Sequence, residues 1–425
     1  MQRDGDAEGS SGRSGGNAPP GPDRRRLLAG IAAGVLGTIA GCTGADGPGS
    51  ATTADPSNEA AGGSTGGGTA ETDGVTTAGR AGTRTGTPGV ATPNYGDLDL
   101  PVPQSDLHRG APEDGIPAIT RPAFGADWSA VEHSLADGDR VIGVERDGEA
   151  RAYPLAILNW HEIANDGFGG PLLVSYCPLC GSGVTAKRVV DGEPTTFGVS
   201  GYLYQSDLVM YDETTESLWS QIVATAIRGP KTGTRLELVP STLTTWGAWR
   251  GDHPDTRVLL PPPESGTIVD SRPRDYSRNP YSGYSESSRV GIGYNDVEDD
   301  RLHPKTQVVG IATGSASKAS PFPAVKEAGV VNDTVGDLPV VVAAGPEGTL
   351  SAYVRRVDGE TVIFEAGPEG RMVGADTEWT ITTGEGVSGA YEGWRLDQAT
   401  GATTMFWFAW VEFNPETAVY GQEEG

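Results

Sequence analysis

Short apolar stretches alternate with polar turn residues along the chain from about residue 110 to its end. Segments such as "RVIGVERDG", "PLLVSYC" and "TTFGVSG" are bounded by Gly, Asp or Pro. This pattern predicts short β-strands of roughly four to seven residues joined by tight turns. One segment, "AILNWHEIAND", has the spacing of a short helix instead. The pattern therefore predicts a β-rich α+β fold.

The same pattern occurs twice. The stretch from Val141, "VIGVERDGEARAYPLAILNWHEIAND", aligns without gaps with the stretch from Val308, "VVGIATGSASKASPFPAVKEAGVVND". Further on, "WGAWRGDHPDTRV" from Trp246 parallels "WFAWVEFNPETAV" from Trp407. Self-similarity over this length predicts two tandem copies of one duplicated, mainly-β unit with short helices. The repeated tryptophans indicate core packing rather than a cofactor site.

The repeat divides the chain into predicted parts. We expect the first unit over residues 105–270, called the first region below, and the second unit over residues 306–425, called the second region. A Tyr-, Ser- and Asn-rich connector over residues 271–305 joins them.

The N-terminal segment has the features of an export signal. Arg24 and Arg25 precede an apolar run ending at Gly41, which is shorter than the roughly 20 residues of a membrane span. Paired arginines resemble a twin-arginine signal, and "TIAGC" resembles a lipobox in which Cys42 is lipidated. The sequence predicts a signal peptide over residues 1–41 and a lipid-anchored protein on the extracytoplasmic face of the membrane. A short transmembrane anchor or a buried helix is the alternative.

Residues 42–104 consist largely of Gly, Thr, Ala and Ser, as in "AAGGSTGGGTAETDGVTTAG". Such a segment buries too little apolar surface to offset its conformational entropy. We therefore predict a disordered tether between the lipid anchor and the folded part.

Acidic residues dominate the charge. The formal net charge is −26, and only five of the 31 basic side chains are lysines. An excess of carboxylates with little lysine indicates adaptation to high salt, where mutual repulsion is screened. We therefore expect a halophilic archaeal source. The same acidity argues against nucleic acid as a partner.

Two of the three cysteines lie in "SYCPLCGSG". The sequence "CPLCG" between two predicted strands resembles a metal-binding knuckle or a redox pair. The repeat provides an internal comparison, because Ala344 and Glu347 occupy the positions of Cys177 and Cys180. The cysteines are therefore not needed to build the fold. They are an addition to one copy or, alternatively, a loss by drift in the other.

Three chemical roles remain open for the pair. As metal ligands, Cys177 and Cys180 would be joined by His161, which ends the predicted helix, with Glu162 and Asp207 as accessory ligands. Two thiolates and an imidazole favour copper or zinc, and a single knuckle excludes a four-sulfur site within one chain. The second role is thiol–disulfide exchange. The third is a structural disulfide in a non-catalytic surface or partner-binding module. The sequence identifies no catalytic residue.

Several of these motifs together resemble a known family. "DGIPAI", "YCPLCGSG", "FGVSGYLYQSDLVMYDETTESLWSQ" and "NPYSGY" are similar to the domain of unknown function 3179 family, from about Gly110 onwards. The resemblance implies that His161, Cys177, Cys180 and Asp207 are family-motif positions. It carries no assigned activity.

Overall fold

The structure is a computed structural model, and it describes residues 83–84, 89–91, 98–270, 274–292 and 299–422. All of these residues fall within one compact unit, Val75–Gly425. The predicted signal peptide with Arg24 and Arg25, the lipidation site Cys42 and most of the predicted tether lie outside the described residues. No helix in the described ranges is both long and apolar enough to cross a membrane.

Strands make up most of the regular structure. The chain is 41% strand and 11% helix, and six small sheets form a propeller-like ring. The four helices are α1 (Leu155–His161), α2 (Trp246–Asp252), α3 (Phe322–Ala328) and α4 (Trp407–Phe413). The prediction of a β-rich fold with short helices is confirmed. The ring of sheets was not predicted.

The strands before the connector are short. They are β1 (Thr83–Arg84), β2 (Leu107–Arg109), β3 (Ile119–Arg121), β4 (Phe124–Gly125), β5 (Arg140–Arg146), β6 (Glu149–Pro154), β7 (Ile163–Asp166), β8 (Leu172–Cys177), β9 (Ser182–Lys187), β10 (Val189–Val190), β11 (Glu193–Pro194), β12 (Phe197–Tyr204), β13 (Asp207–Asp212), β14 (Leu218–Ser220), β15 (Thr225–Arg228), β16 (Thr242–Thr245), β17 (Arg257–Leu259) and β18 (Gly266–Thr267). Three five-stranded sheets have the orders β15-β14-β13-β12-β2, β16-β5-β6-β17-β4 and β18-β3-β7-β8-β9.

The second region contains the remaining strands. They are β19 (Gln307–Ala312), β20 (Ser317–Pro321), β21 (Val330–Val335), β22 (Leu338–Ala344), β23 (Leu350–Val354), β24 (Arg356–Val357), β25 (Glu360–Thr361), β26 (Glu365–Ala366), β27 (Arg371–Gly374), β28 (Thr377–Thr380), β29 (Gly386–Gly389), β30 (Trp394–Arg395), β31 (Met405–Phe406) and β32 (Ala418–Val419). Its larger sheets have the orders β31-β19-β20-β32, β21-β22-β23 and β26-β27-β28-β29.

Both regions pass through the same sequence of pairings. In the first region β5 and β6 form an antiparallel hairpin, α1 follows, and β17 adds to β6 in parallel. In the second region β19 and β20 form the hairpin, α3 follows, and β32 adds to β20 in parallel. Pro154 and Pro321 stand at the N-caps of α1 and α3. A proline there fits because the first amides of a helix have no intrahelical partner.

A glycine in each hairpin makes room for a tryptophan from a later helix. A Cβ added at Gly143 would lie 2.3 Å from the Trp249 ring, and one at Gly310 would lie 2.2 Å from the Trp410 ring. Each indole NH donates a 2.9 Å hydrogen bond, Trp249 to Thr256 and Trp410 to Thr417. The repeated tryptophans are therefore buried core residues.

The largest hydrophobic cluster draws on both regions. It contains Cys177, Cys180 and Trp219 together with Phe406 and Trp407. The turn between β8 and β9 therefore lies in a shared core rather than on the surface.

Candidate metal site

The cysteines lie at the turn between two buried strands. Cys177 ends β8, and the cysteine turn, residues 177–181, leads into β9. The Gly181 amide donates to the Cys177 carbonyl oxygen at 2.8 Å, and Gly181 has φ +65°, a conformation that favours glycine. The Cys180 amide lies 3.4 Å from the Cys177 sulfur. The tight turn therefore places both thiols, which are buried and free, on the same side.

A strained hairpin lies over these thiols. Gln205 and Ser206 join β12 to β13, and both have positive φ, 49° and 65°. Two-residue turns of this kind usually contain Asn or Gly. The Ser206 carbonyl oxygen lies 3.2 Å from the Cys180 sulfur and 3.8 Å from the Cys177 sulfur. Backbone strain of this sort is typical of functional sites.

The residue after the hairpin turn completes a group of three donors. Oxygen or sulfur atoms of Cys177, Cys180 and Asp207 all lie within 4.8 Å of one another, and all three side chains are buried. Asp207 Oδ2 accepts hydrogen bonds from the Ser220 hydroxyl at 2.5 Å and from the Ile222 amide at 3.2 Å. Its Oδ1 is buried without a hydrogen-bond partner. The hydrogen bonds to Oδ2 thus hold the carboxylate in place, and Oδ1 remains available to bind a ligand.

The electrostatics of the group disfavour negative charge. Burial raises the pKa of Asp207 to about 7. Burial, with further contributions from Cys177, raises the pKa of the Cys180 thiol well above its usual value. Each anion loses hydration, and each repels the next. A bound cation would reverse this balance, because it stabilises the deprotonated form of every donor.

Glu162 lies close to the group without joining it. It follows α1 with φ 56°, it is buried, and its backbone carbonyl accepts from the Tyr176 amide at 2.8 Å. Burial and the charge of Asp207 raise the pKa of Glu162 to about 8. Asp207, predicted as accessory, is thus within the three-donor group, and Glu162 stays outside it.

His161 also lies outside the three-donor group, which corrects its predicted place as third ligand. Its Nδ1 is 2.7 Å from the Pro117 carbonyl oxygen, and its Nε2 is 2.8 Å from the Tyr276 hydroxyl. Burial lowers the pKa of His161 to about 4, so the ring is neutral at pH 7. Because the Pro117 carbonyl oxygen can only accept, the neutral ring donates from Nδ1, and its Nε2 accepts from the Tyr276 hydroxyl. Both nitrogens are therefore used, and His161 holds Tyr276 in place.

The connector supplies residues that sequence reasoning did not place at the site. Tyr281 and Tyr284 are close enough to the cysteines that the thiol charges contribute to their raised pKa values. Lys305 is buried, lies 3.7 Å from the centre of the Tyr284 ring and donates to the Arg289 carbonyl oxygen. Burial lowers the pKa of Lys305 to about 8. In the sequence, only the aromatic and polar composition of the connector indicates that its residues could contribute to a site.

A cleft of about 720 Å³ opens beside the cysteine turn. Tyr176 and Pro178 line it from the turn side, Tyr281 and Tyr284 from the connector, and Phe406 from the second region. The donor group therefore lies behind one wall of this cleft.

Comparison with known families finds one matching sequence model. A sequence model described as "Protein of unknown function (DUF3179)" matches residues 113–417. The chain belongs to this family. The DUF3179 match covers the cysteine turn, the connector and most of both regions. Searches of curated proteins and of solved structures find no match.

Proposed function

We propose that the protein binds one metal ion, zinc or copper, through Cys177, Cys180 and Asp207. The observation that carries the proposal is the buried group itself: three donor atoms within 4.8 Å, with Asp207 Oδ1 lacking any partner. Buried polar atoms in folded proteins are nearly always paired, so an unpaired carboxylate oxygen on a residue grouped with two thiols supports a cation site.

The donor types narrow the choice of metal. Thiolates select zinc or Cu(I) over calcium and magnesium. Zinc accepts a carboxylate oxygen alongside sulfur, whereas Cu(I) prefers sulfur and imidazole. Because Asp207 takes the place predicted for His161, the set favours zinc over copper. Three protein ligands leave a fourth position of a tetrahedral zinc site for another ligand.

Thiol–disulfide exchange is the second candidate, and the adjacent thiols favour it. The burial of Cys177 and Cys180, at 1% and 0% exposure, argues against it, because exchange needs an accessible thiolate. The raised pKa of the Cys180 thiol argues in the same direction. A structural disulfide is less well supported, since both thiols are free.

Metal analysis of protein purified under reducing conditions tests the proposal. We expect one zinc or copper per chain, at least 100-fold weaker binding in Cys177→Ala, and weaker binding in Asp207→Asn, which keeps one oxygen to accept the hydrogen bonds from Ser220 and Ile222. His161→Ala is the matched control and should retain the metal, because both of its ring nitrogens bond elsewhere. The parent protein lacking metal, or Cys177→Ala binding as tightly as the parent, would refute the proposal.

We also propose that the two regions arose by tandem duplication. The repeated sequence and the repeated order of hairpin, helix and parallel strand support this. In this proposal the first unit comprises residues 105–270 and the second unit comprises residues 306–425.

The proposed location is the extracytoplasmic face of a halophile's membrane, with Cys42 as the lipid attachment point. The paired arginines, the short apolar run, the lipobox-like "TIAGC" and the net charge of −26 support it. Mass spectrometry of the mature N-terminus tests the anchor: a diacylglycerol-modified Cys42 is expected, and an intact residue 1 would contradict it.

A further inference from the structure

The cleft beside the cysteine turn is lined by cations. Arg140 lies at the start of β5, Arg278 and Lys305 come from the connector, and all three line the cleft. Asp139 is the one carboxylate among the described lining residues, and it accepts a hydrogen bond from the Ala136 amide. In a chain with 57 acidic and 31 basic side chains, this local excess of positive charge is unusual.

Among the residues that the structure describes, these cations have no carboxylate partners. Within the described part of the chain, none of Arg140, Arg278 and Lys305 forms an ion pair within 4.0 Å. Arg140 Nε is buried without a hydrogen-bond partner. Arg140 Nη2 makes one long hydrogen bond, 3.5 Å to the Leu243 carbonyl oxygen, so the guanidinium retains donors for a ligand oxygen in the cleft.

A second cleft of about 760 Å³ provides the contrast. Two of its arginines are already neutralised: Arg151 pairs with Asp166, and Arg395 pairs with Glu145 and Glu385. The third, Arg257, has no ion pair with any described residue, but five carboxylates also line this cleft. An excess of positive charge is therefore not a general property of the clefts of this protein. It is concentrated beside the cysteine turn.

The size and the other walls of the first cleft define the ligand further. A volume of about 720 Å³ lies within the roughly 300–1,000 Å³ typical of small-molecule sites. Tyr276, Tyr281 and Tyr284 supply aromatic faces, and Asn159 and Asn279 supply amides. Aromatic faces with a few polar groups suit a small organic body, and guanidinium groups suit carboxylate or phosphate oxygens.

We infer that this cleft binds a small organic molecule bearing a carboxylate or phosphate group, with Arg140 and Arg278 contacting the oxyanion. The inference does not require a metal at the cysteines.

Calorimetric titration at constant chloride concentration tests the inference, with citrate and inorganic phosphate as probes and glucose as the neutral counter-probe. We expect one equivalent of citrate or phosphate to bind saturably, and we expect Arg140→Gln and Arg278→Gln each to weaken it about tenfold. The anion that binds more tightly shows whether the site prefers a carboxylate or a phosphate group. Because Arg278 is exposed, its variant is expected to fold even if Arg140→Gln does not.

Arg257→Gln is the matched control, since it removes the same charge from the other cleft. It should change the affinity less than twofold. Three results would overturn the inference: no saturable binding of either anion, equal weakening by Arg257→Gln, or glucose binding as tightly as the anions. Titrations of Cys177→Ala keep the outcome separate from the metal proposal, because anion binding should persist there.

Discussion

The first and second regions share a framework and differ in the turn that would carry the chemistry. The Asn165 side chain exchanges two hydrogen bonds with the backbone of Phe197, and the Asn332 side chain does the same with Phe364. Each region thus secures a later strand with the same amide. The framework can be built without the donor group, so fold and chemistry are separable here.

The difference extends beyond the two cysteines. In the first region the hairpin of β12 and β13 brings Ser206 and Asp207 over the cysteine turn. In the second region Ala344 and Glu347 replace the cysteines, and the following hairpin uses the shorter strands β26 and β27. The proposed metal site therefore draws on two elements together, the turn and the longer hairpin.

The strongest test of that conclusion introduces two cysteines at the corresponding turn of the second region. We expect Ala344→Cys combined with Glu347→Cys to add no tightly held metal, because β27, with the sequence RMVG, has no acidic residue like the Asp207 that begins β13. Metal per chain after dialysis against a competing chelator is the measurement. The stoichiometry should stay at one and fall to zero when Cys177→Ala is added. Two metals per chain would show that the turn alone suffices.

Acid sensitivity should also differ between the regions, since the second region contains no histidine. Burial, with a smaller effect of Arg395, lowers the pKa of His253 to about 4 from 6.5. The unfolded chain therefore binds a proton near pH 6.5 and the folded chain only near pH 4, so stability falls as pH drops through this window. The full shift corresponds to about 3 kcal/mol.

His253→Asn, which copies Asn414 of the second region, should remove this contribution. Chemical denaturation at pH 7 and pH 4.5 measures it. The variant should lose less stability on acidification than the parent, and His161, whose pKa is also about 4, should account for part of the remainder. An unchanged difference between the two pH values would contradict the assignment.

The smallest expected effect tests what the regions share. Gly143→Ala and Gly310→Ala should each destabilise the protein by about 1–3 kcal/mol, because each new methyl group would overlap a tryptophan ring. Gly251→Ala, in open space on α2, is the control and should cost nothing. Unequal losses at Gly143 and Gly310 would show that the two frameworks differ more than their hydrogen bonds indicate.

Local features of the fold could be predicted from the sequence, and long-range ones could not. The short strands and the turn at "CPLCG" follow from patterns within about ten residues. The helix predicted over "AILNWHEIAND" is only partly right, because it ends at His161 and Ile163–Asp166 forms β7. The ring of sheets depends on how distant strands pair, which alternation alone does not encode. β17 beside β6, for example, brings together Val258 and Ala152.

The candidate site shows the same limit. Cys177 and Cys180 were identified by spacing, but His161 was favoured over Asp207 because it is nearer in sequence. In the structure the Nε2 of His161 contacts Tyr276, which comes from the connector. Asp207 reaches the thiols because β12 and β13 fold back over the turn. Distance along the chain therefore does not predict which donor lies close to the two thiols.

The cysteine turn is completed by the end of the chain, and this sets an order of events in time. The Phe406 amide donates to the Cys180 carbonyl oxygen at 2.8 Å, and the Thr403 amide donates to the Gly183 carbonyl oxygen at 2.9 Å. During synthesis, these partners emerge more than 200 residues after the cysteines. Until then both thiols lack part of their enclosure and remain open to oxidants. In a chain that ends before residue 402, the two thiols would therefore stay exposed to oxidants even if the rest of the chain folded.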